Sequence, residues 1–102
     1  MMRLSVVSQT PQEVLLKVEG RIRLAEEAGL LAREGRHWLE RGKRLVLDLA
    51  GLQAIGQAGL GVLQYWEREG RPVVLRRGSN SLRAILRFHG FSPEEDTLAS
   101  PG

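Results

Sequence analysis

The chain has 102 residues, a formal net charge of +3, 42% hydrophobic residues and no cysteine. This length favours one domain with one core, and no apolar run approaches the ~20 residues that a membrane-spanning helix needs. The lack of cysteine excludes disulfides, thiolate metal ligands and cysteine nucleophiles. The N-terminal residues show no secretory signal, so we expect a cytoplasmic location.

The first elements are two strands and a helix. Two runs rich in β-branched residues, 3–8 and 13–19, are separated by Pro11, and we expect them to form an antiparallel pair. After Gly20 the apolar residues recur at helical spacing, which predicts a helix over about residues 25–41.

The following elements alternate between strand and helix. Residues 44–50 are almost continuously apolar, which predicts a central strand covered on both faces. A second helix is expected from about residue 58 or 59 to Gly70, then a buried strand over residues 73–75. N-cap residues at 78–81 precede a third helix. The order ββαβαβα implies a single-domain α/β fold, with a mixed, mainly parallel sheet and helices packed on it.

The helical and strand patterns are lost after residue 91. We therefore expect one domain over residues 1–91 and a loosely ordered C-terminal tail over residues 92–102. Loops beyond the carboxyl ends of parallel strands commonly carry binding sites, and residues 56–61 belong to such a loop.

Three glycines lie close together in Gly56-Gln-Ala-Gly-Leu-Gly. Their spacing reverses the G-x-G-x-x-G order, which excludes a dinucleotide fingerprint. Gly51 and Gly56 have the interval of a P-loop, but Gln57 and Ala58 replace its lysine and hydroxyl. Two interpretations remain: a helix start whose N–H groups receive an anion or a partner's carboxylate, or a turn whose glycines let helix and sheet pack closely.

Residues suited to catalysis are few. Asp48 lies within an apolar strand, where hydrogen bonding to backbone N–H groups is a more common role than catalysis. His37 and His89 fall on different helices, and no cysteine or acidic cluster completes a metal site or proton relay. We therefore expect no catalytic residue, metal or cofactor, with nucleotide hydrolysis dependent on Asp48 as a minor alternative.

Several arginines are expected to gather near the last strand and the third helix. Such a cluster can bind acidic protein, phospholipid or nucleic acid, but a solvated face is favoured because stacking aromatic residues and a basic recognition helix are missing. These arginines are Arg76, Arg77, Arg83 and Arg87. Trp38 and Trp66 fall on apolar helical faces and are expected to anchor the core.

Four segments, in order and with matching spacing, carry a resemblance to a known family. They are Gly20-Arg-Ile-Arg-Leu-Ala, Leu45-Val-Leu-Asp-Leu-Ala-Gly-Leu, Gly59-Leu-Gly-Val-Leu and Asn80-Ser-Leu-Arg-Ala-Ile-Leu-Arg-Phe-His-Gly-Phe. Together, over about residues 12–91, they resemble the STAS family of anti-sigma factor antagonists. The resemblance implies a non-enzymatic protein-interaction domain.

The chain departs from that family where regulation would occur. Members typically carry aspartate, serine, and serine or threonine before the glycine-leucine-glycine, and a partner kinase that is also an anti-sigma factor phosphorylates the last hydroxyl. Here those positions are Gly56, Gln57 and Ala58. Because Ala58 has no hydroxyl, we expect no phosphorylation there. Arg23 stands where relatives often carry aspartate, which reverses the local charge.

The resemblance places a partner-binding surface at the loop and helix start over residues 56–62. Leu60 is expected to be exposed and to contact the partner, with core packing as the alternative. The predicted partner-binding residues are Arg21, Arg23, Gly56, Gln57, Ala58, Gly59, Leu60, Gly78, Ser79, Asn80 and Ser81.

Two classes of partner protein fit this expectation. One is an anti-sigma or kinase-like regulator. The other follows from a similarity to the small STAS subunits of bacterial lipid-transport ABC complexes, which bind an ATPase and need no phosphorylated hydroxyl. We expect neither nucleic-acid binding nor insertion into a membrane.

Overall fold

The computed structural model describes residues 1–93. Its elements are β1 (Met2–Gln9), β2 (Glu13–Ile22), α1 (Ala25–Leu39), β3 (Arg44–Ile55), α2 (Gln57–Arg68), β4 (Val73–Arg76) and α3 (Asn80–Phe88). The predicted order ββαβαβα is confirmed. The tail predicted over residues 92–102 falls outside the described residues from position 94 onward.

The four strands form one mixed sheet in the order β1-β2-β3-β4. β1 and β2 are antiparallel, whereas β2 pairs with β3 and β3 with β4 in parallel. Because α1 and α2 are the crossovers between parallel strands, the carboxyl ends of β2, β3 and β4 lie at one edge of the sheet. The mainly parallel α/β fold is therefore confirmed. The loop over residues 56–61 and the turn over residues 78–81 follow the ends of β3 and β4 at this edge.

One core joins the three helices to one face of the sheet. In β2, Val14, Leu16 and Val18 alternate into this core, as expected for a strand with one helix-covered face. Burying each such side chain contributes about 1.5–3 kcal/mol. The helix residues buried in the core are Ala28, Leu31, Leu39, Leu60, Leu63, Trp66, Leu82 and Leu86.

The other face of β3 is buried without help from that core. Val46 is fully buried but lies outside the core that contains the helix residues. Its register neighbours are Leu15 on β2 and Val74 on β4, both partly buried. The predicted burial of both faces is thus confirmed for residues 45–49 of β3, all of which are buried.

β3 runs to Ile55, five residues beyond the end predicted from the sequence. The extension pairs Leu52 with Gly20 and Ile55 with Ile22, across two register shifts that each place an extra residue in β3. Such bulges place an unpaired residue in one strand and bend it. Because β3 is longer than predicted, α2 starts next to the carboxyl end of β2.

Of the strands that the structure describes, β1 is an outer one and pairs only with β2. Its register shifts between Val6 and Ser8, where the ladder is irregular. Val6 and the intervening Val7 are both exposed. The outer edge of the sheet is therefore interrupted near its middle.

The first turn of α1 is fastened by Glu27. One carboxylate oxygen accepts hydrogen bonds from the backbone N–H groups of Arg23, at 2.9 Å, and Leu24, at 3.0 Å. These bonds favour the charged carboxylate, the Leu24 bond most strongly, and lower the pKa of Glu27 below its ordinary value of 4.5. The carboxylate thereby ties α1 to the end of β2.

We predict that this carboxylate contributes to the acid sensitivity of the fold. Because its pKa is lower in the folded chain, its stabilising effect is present above the unfolded pKa and is lost as pH falls through the folded value. Glu27→Gln should therefore unfold at a lower urea concentration than wild type at neutral pH, with the difference shrinking below about pH 4. The matched control is Glu26→Gln, which removes a neighbouring exposed carboxylate. An equal effect of both variants would contradict the prediction.

Candidate functional site

The start of α2 is bound to the end of β2. Gly56 is the N-cap residue of α2, and its N–H donates to the carbonyl oxygen of Ile22 at 2.7 Å. Within the described part of the chain, no side chain forms a capping hydrogen bond at this end of the helix. The first N–H groups of a helix lack partners within the helix, so this start presents donors and a partial positive charge.

Arg21 and Arg23, two of the predicted partner-binding residues, lie near this helix start. A Cβ placed on Gly56 would be 3.8 Å from Cα of Arg23, so the loop and the end of β2 are in contact. Arg21 pairs with Ala54 in the sheet, and its Nε donates to Oε1 of Gln53 at 3.2 Å. Both arginines are exposed and add positive charge near the helix start, where the Glu27 carboxylate, bound to the Arg23 N–H, is also close.

Residues 57–60 divide into an exposed pair and a buried pair. Gln57 and Ala58 are exposed, whereas Gly59 is buried and Leu60 is only 6% exposed. The predicted exposure of Leu60 is therefore wrong: its side chain packs in the core. The predicted partner-binding surface over residues 56–62 is then limited to Gln57, Ala58 and backbone groups.

The glycines of this stretch differ in how closely other atoms pack around them. A Cβ on Gly59 would lie 2.8 Å from Cγ2 of Ile22 and 2.8 Å from Cγ1 of Ile55, closer than packed atoms approach. Gly59 therefore lets α2 pack against the strand ends, as the close-packing interpretation expects. A Cβ on Gly61 would meet nothing within 4 Å.

The turn over residues 78–81 lies elsewhere along the same edge. Ser79 is the N-cap of α3, and its hydroxyl accepts from the Leu82 N–H at 3.1 Å. A Cβ on Gly78 would lie 3.5 Å from Cβ of Leu49. Leu49 precedes Gly56 by about 20 Å of extended strand, so these contacts place the turn at a different part of β3. Asn80 and Ser81 are exposed there.

Asp48 has a structural position in β3. It is 8% exposed, its Oδ1 accepts from the Ala50 N–H at 3.0 Å, and its Oδ2 lies 3.4 Å from Nη1 of Arg77. Bonding to a backbone N–H near a strand bend is the structural role expected from the sequence. His37 and His89 are both exposed and lie on α1 and just after α3.

The four clustered arginines differ in their surroundings. Arg87 is exposed, Arg77 pairs with Asp48, and the Nε atoms of Arg76 and Arg83 are buried. The sequence predicts that these four arginines form a solvated face, but only part of that face is exposed to solvent.

The packing of α1 against α2 leaves a groove of about 560 Å³ that sequence analysis missed. Its lining residues are Ala32, Arg36, Leu39, Glu40, Ala58, Gly61, Val62, Tyr65, Trp66 and Arg71. Ala58 thus belongs both to the helix start and to this groove. The spacing of Ala58, Gly61 and Tyr65 along one side of α2 was the available signal.

Residues 1–93 contain neither a metal-binding cluster nor a membrane-spanning helix. No group of three or more histidine, cysteine, aspartate or glutamate side chains is placed to hold a metal ion there. Within the same range, no helix combines the length and apolar character required to cross a bilayer.

Comparison with known proteins gives a family and a fold. A family model described as "Mlab, STAS domain" matches residues 5–93. The structure of the anti-sigma factor antagonist SpoIIAA in its unphosphorylated form aligns with a TM-score of 0.70 and 14% identity, covering 92% of this chain and 87% of that one. The Bacillus cell fate determinant SpoIIAA in its phosphorylated form aligns with a TM-score of 0.68 and 17% identity, covering 94% and 89%.

At these identities the two structures establish a shared fold. No curated protein sequence matches the chain. The family model, in contrast, accounts for most of the described residues. The chain therefore belongs to the STAS domain family.

Proposed function

We propose that this chain is a non-enzymatic interaction module that docks a regulatory protein through the loop and helix start over residues 56–62. The observation that carries the proposal is the uncapped start of α2, exposed at Gln57 and Ala58 beside two arginines, Arg21 and Arg23. A similar fold in an anti-sigma factor antagonist supports a role in protein interaction. The turn over residues 78–81 is proposed as an outlying part of the same surface.

The chemistry of this surface selects an acidic partner. Free N–H groups and the partial positive charge of a helix N-terminus favour a carboxylate, and exposed arginines add to that preference. Ala58 offers no hydroxyl for phosphorylation. A kinase therefore cannot add the roughly −2 charge of a phosphate at this position, and docking here is not subject to that control.

The proposal predicts that Ala58→Glu weakens docking by about tenfold or more, because it places a negative charge where the partner's carboxylate binds. The partner is captured from a lysate of the source organism, identified by mass spectrometry, purified, and titrated calorimetrically against each variant. Ala58→Gln is the matched control, since it adds the same bulk without charge. Equal affinities for the wild type and Ala58→Glu would refute docking through this loop.

A second candidate function is that of a small STAS subunit binding the ATPase of a bacterial lipid-transport ABC complex. Ala58 favours it, because that role needs no phosphorylated hydroxyl. The identity of the captured protein separates the two: an ABC ATPase supports transport, and a serine-kinase-like or sigma-regulatory protein supports signalling. Both functions place the chain in the cytoplasm.

A further inference from the structure

The groove between α1 and α2 has two arginines at its rim. Arg36 and Arg71 line it and are exposed. The salt bridges among residues 1–93 involve other cations, so both guanidinium groups lack a carboxylate partner within that range. Among residues 1–93, Glu40 is the single acidic residue in the lining, so these residues give the rim an excess of positive charge.

The floor of the groove is apolar and held in place by packing. Trp66 is 4% exposed, and its ring lies against Gly35 of α1. Ala58, Gly61 and Val62 continue this surface along α2. A preformed, mostly apolar cavity with a few charged groups is typical of a binding site, and this one lies within the usual range of about 300–1,000 Å³.

Gly61 is a notable part of this surface. A glycine inside a helix costs about 1 kcal/mol relative to alanine. A Cβ at this position would meet no atom of residues 1–93 within 4 Å, so packing within that range does not require the glycine. Its absence of a side chain instead leaves the helix backbone open to close approach from outside.

We propose that the docking partner inserts an apolar side chain of an amphipathic helix into this groove, and that carboxylates of the same helix pair with Arg36 and Arg71. The inference rests on the proposed docking function and names the chemistry of the partner. A groove between two helices suits a third helix, whose apolar residues recur along one side. The excess positive charge of the rim selects acidic residues next to the apolar anchor.

The test uses a phage-displayed library of randomised helical peptides of about 16 residues, or about four helical turns, selected against the intact chain. Selected peptides should carry an apolar anchor with aspartate or glutamate within one turn of it. Arg36→Glu, Arg71→Glu and Gly61→Leu should each weaken their binding by about tenfold. The matched controls are Arg33→Glu and Arg68→Glu, which reverse exposed charges on the same two helices outside the groove lining.

The opposite results overturn the inference. These are a selection that yields no peptide, peptides without acidic residues, or binding that responds equally to the rim and control variants. Failure of the proposed docking through the loop gives a different pattern of native partner binding among the variants. If Gln57→Glu, which adds charge to the exposed helix start outside the groove lining, weakens native partner binding while Arg36→Glu and Arg71→Glu do not, the partner binds through the docking loop and the groove is excluded. If only the rim variants weaken native binding, the partner binds in the groove and not through the loop.

Discussion

Gly35→Ala should lower the free energy of unfolding by about 2 kcal/mol. A Cβ at this position would lie 2.3 Å from Cζ2 and 2.4 Å from Cη2 of Trp66, and 3.2 Å from Cδ2 of Leu45. The Trp66 ring is buried and rigid, so α1 and α2 must separate to relieve the overlap. Overpacking of this kind costs about 1–3 kcal/mol and occasionally more, partly offset by about 1 kcal/mol from the higher helix propensity of alanine.

The matched control is Gly29→Ala in the same helix. A Cβ on Gly29 would meet nothing within 4 Å, so this variant should be more stable than wild type by up to about 1 kcal/mol. Urea denaturation followed by tryptophan fluorescence measures both. The thermal midpoint of Gly35→Ala should fall by about 10 °C. Equal stability of the two variants would show that α1 and α2 do not make this contact.

Gly59→Ala should destabilise the chain by about 1 kcal/mol and disturb the proposed docking loop. Its Cβ would lie 2.8 Å from Cγ2 of Ile22 and from Cγ1 of Ile55, both near strand ends that hold the loop. The two isoleucines can yield by small shifts, so the overpacking cost exceeds the propensity gain by less than at Gly35. The shift should weaken the hydrogen bond between the Gly56 N–H and the Ile22 carbonyl.

Gly61→Ala, two residues further along α2, is the control for this effect. It adds the same methyl group where no atom lies within 4 Å, and it should be stabilising. Amide hydrogen exchange at Gly56, measured beside urea stability, reports the loop directly. Unchanged exchange and stability in Gly59→Ala would mean that this glycine has no packing role.

The order of elements was predictable because it depends on local periodicity. Val14, Leu16 and Val18 alternate within one short run, and this pattern alone indicates a strand with one buried face. The full length of β3 was not predictable in this way. Its last residues are in the sheet because they pair with Gly20 and Ile22, a contact that involves residues more distant in sequence.

The error at Leu60 has a geometric origin. The sequence predicts that α2 starts at about residue 58 or 59, whereas the helix starts at Gln57. Leu60 shares one face of α2 with Leu63 and Trp66, three and six residues later, and all three are buried, so this apolar spacing was the signal for its burial. The loop itself could be found from its glycines and from the family resemblance.

The groove depends on packing that the sequence does not reveal. Arg36 belongs to α1 and Arg71 to the connection after α2, so their shared rim depends on how the two helices meet. That meeting is fixed by the contact between Gly35 and Trp66. Neither residue has a sequence pattern that identifies the other as its neighbour.

The irregular register of β1 bears on how the chain behaves at high concentration. An outer strand offers unpaired N–H and C=O groups that a strand from another molecule can continue, and exposed valines such as Val6 and Val7 favour that association. A bulge at these residues breaks the row into two short stretches. Growth of fibrils from this side is thereby hindered by backbone geometry, with no need for a proline or a lysine at the centre of the strand.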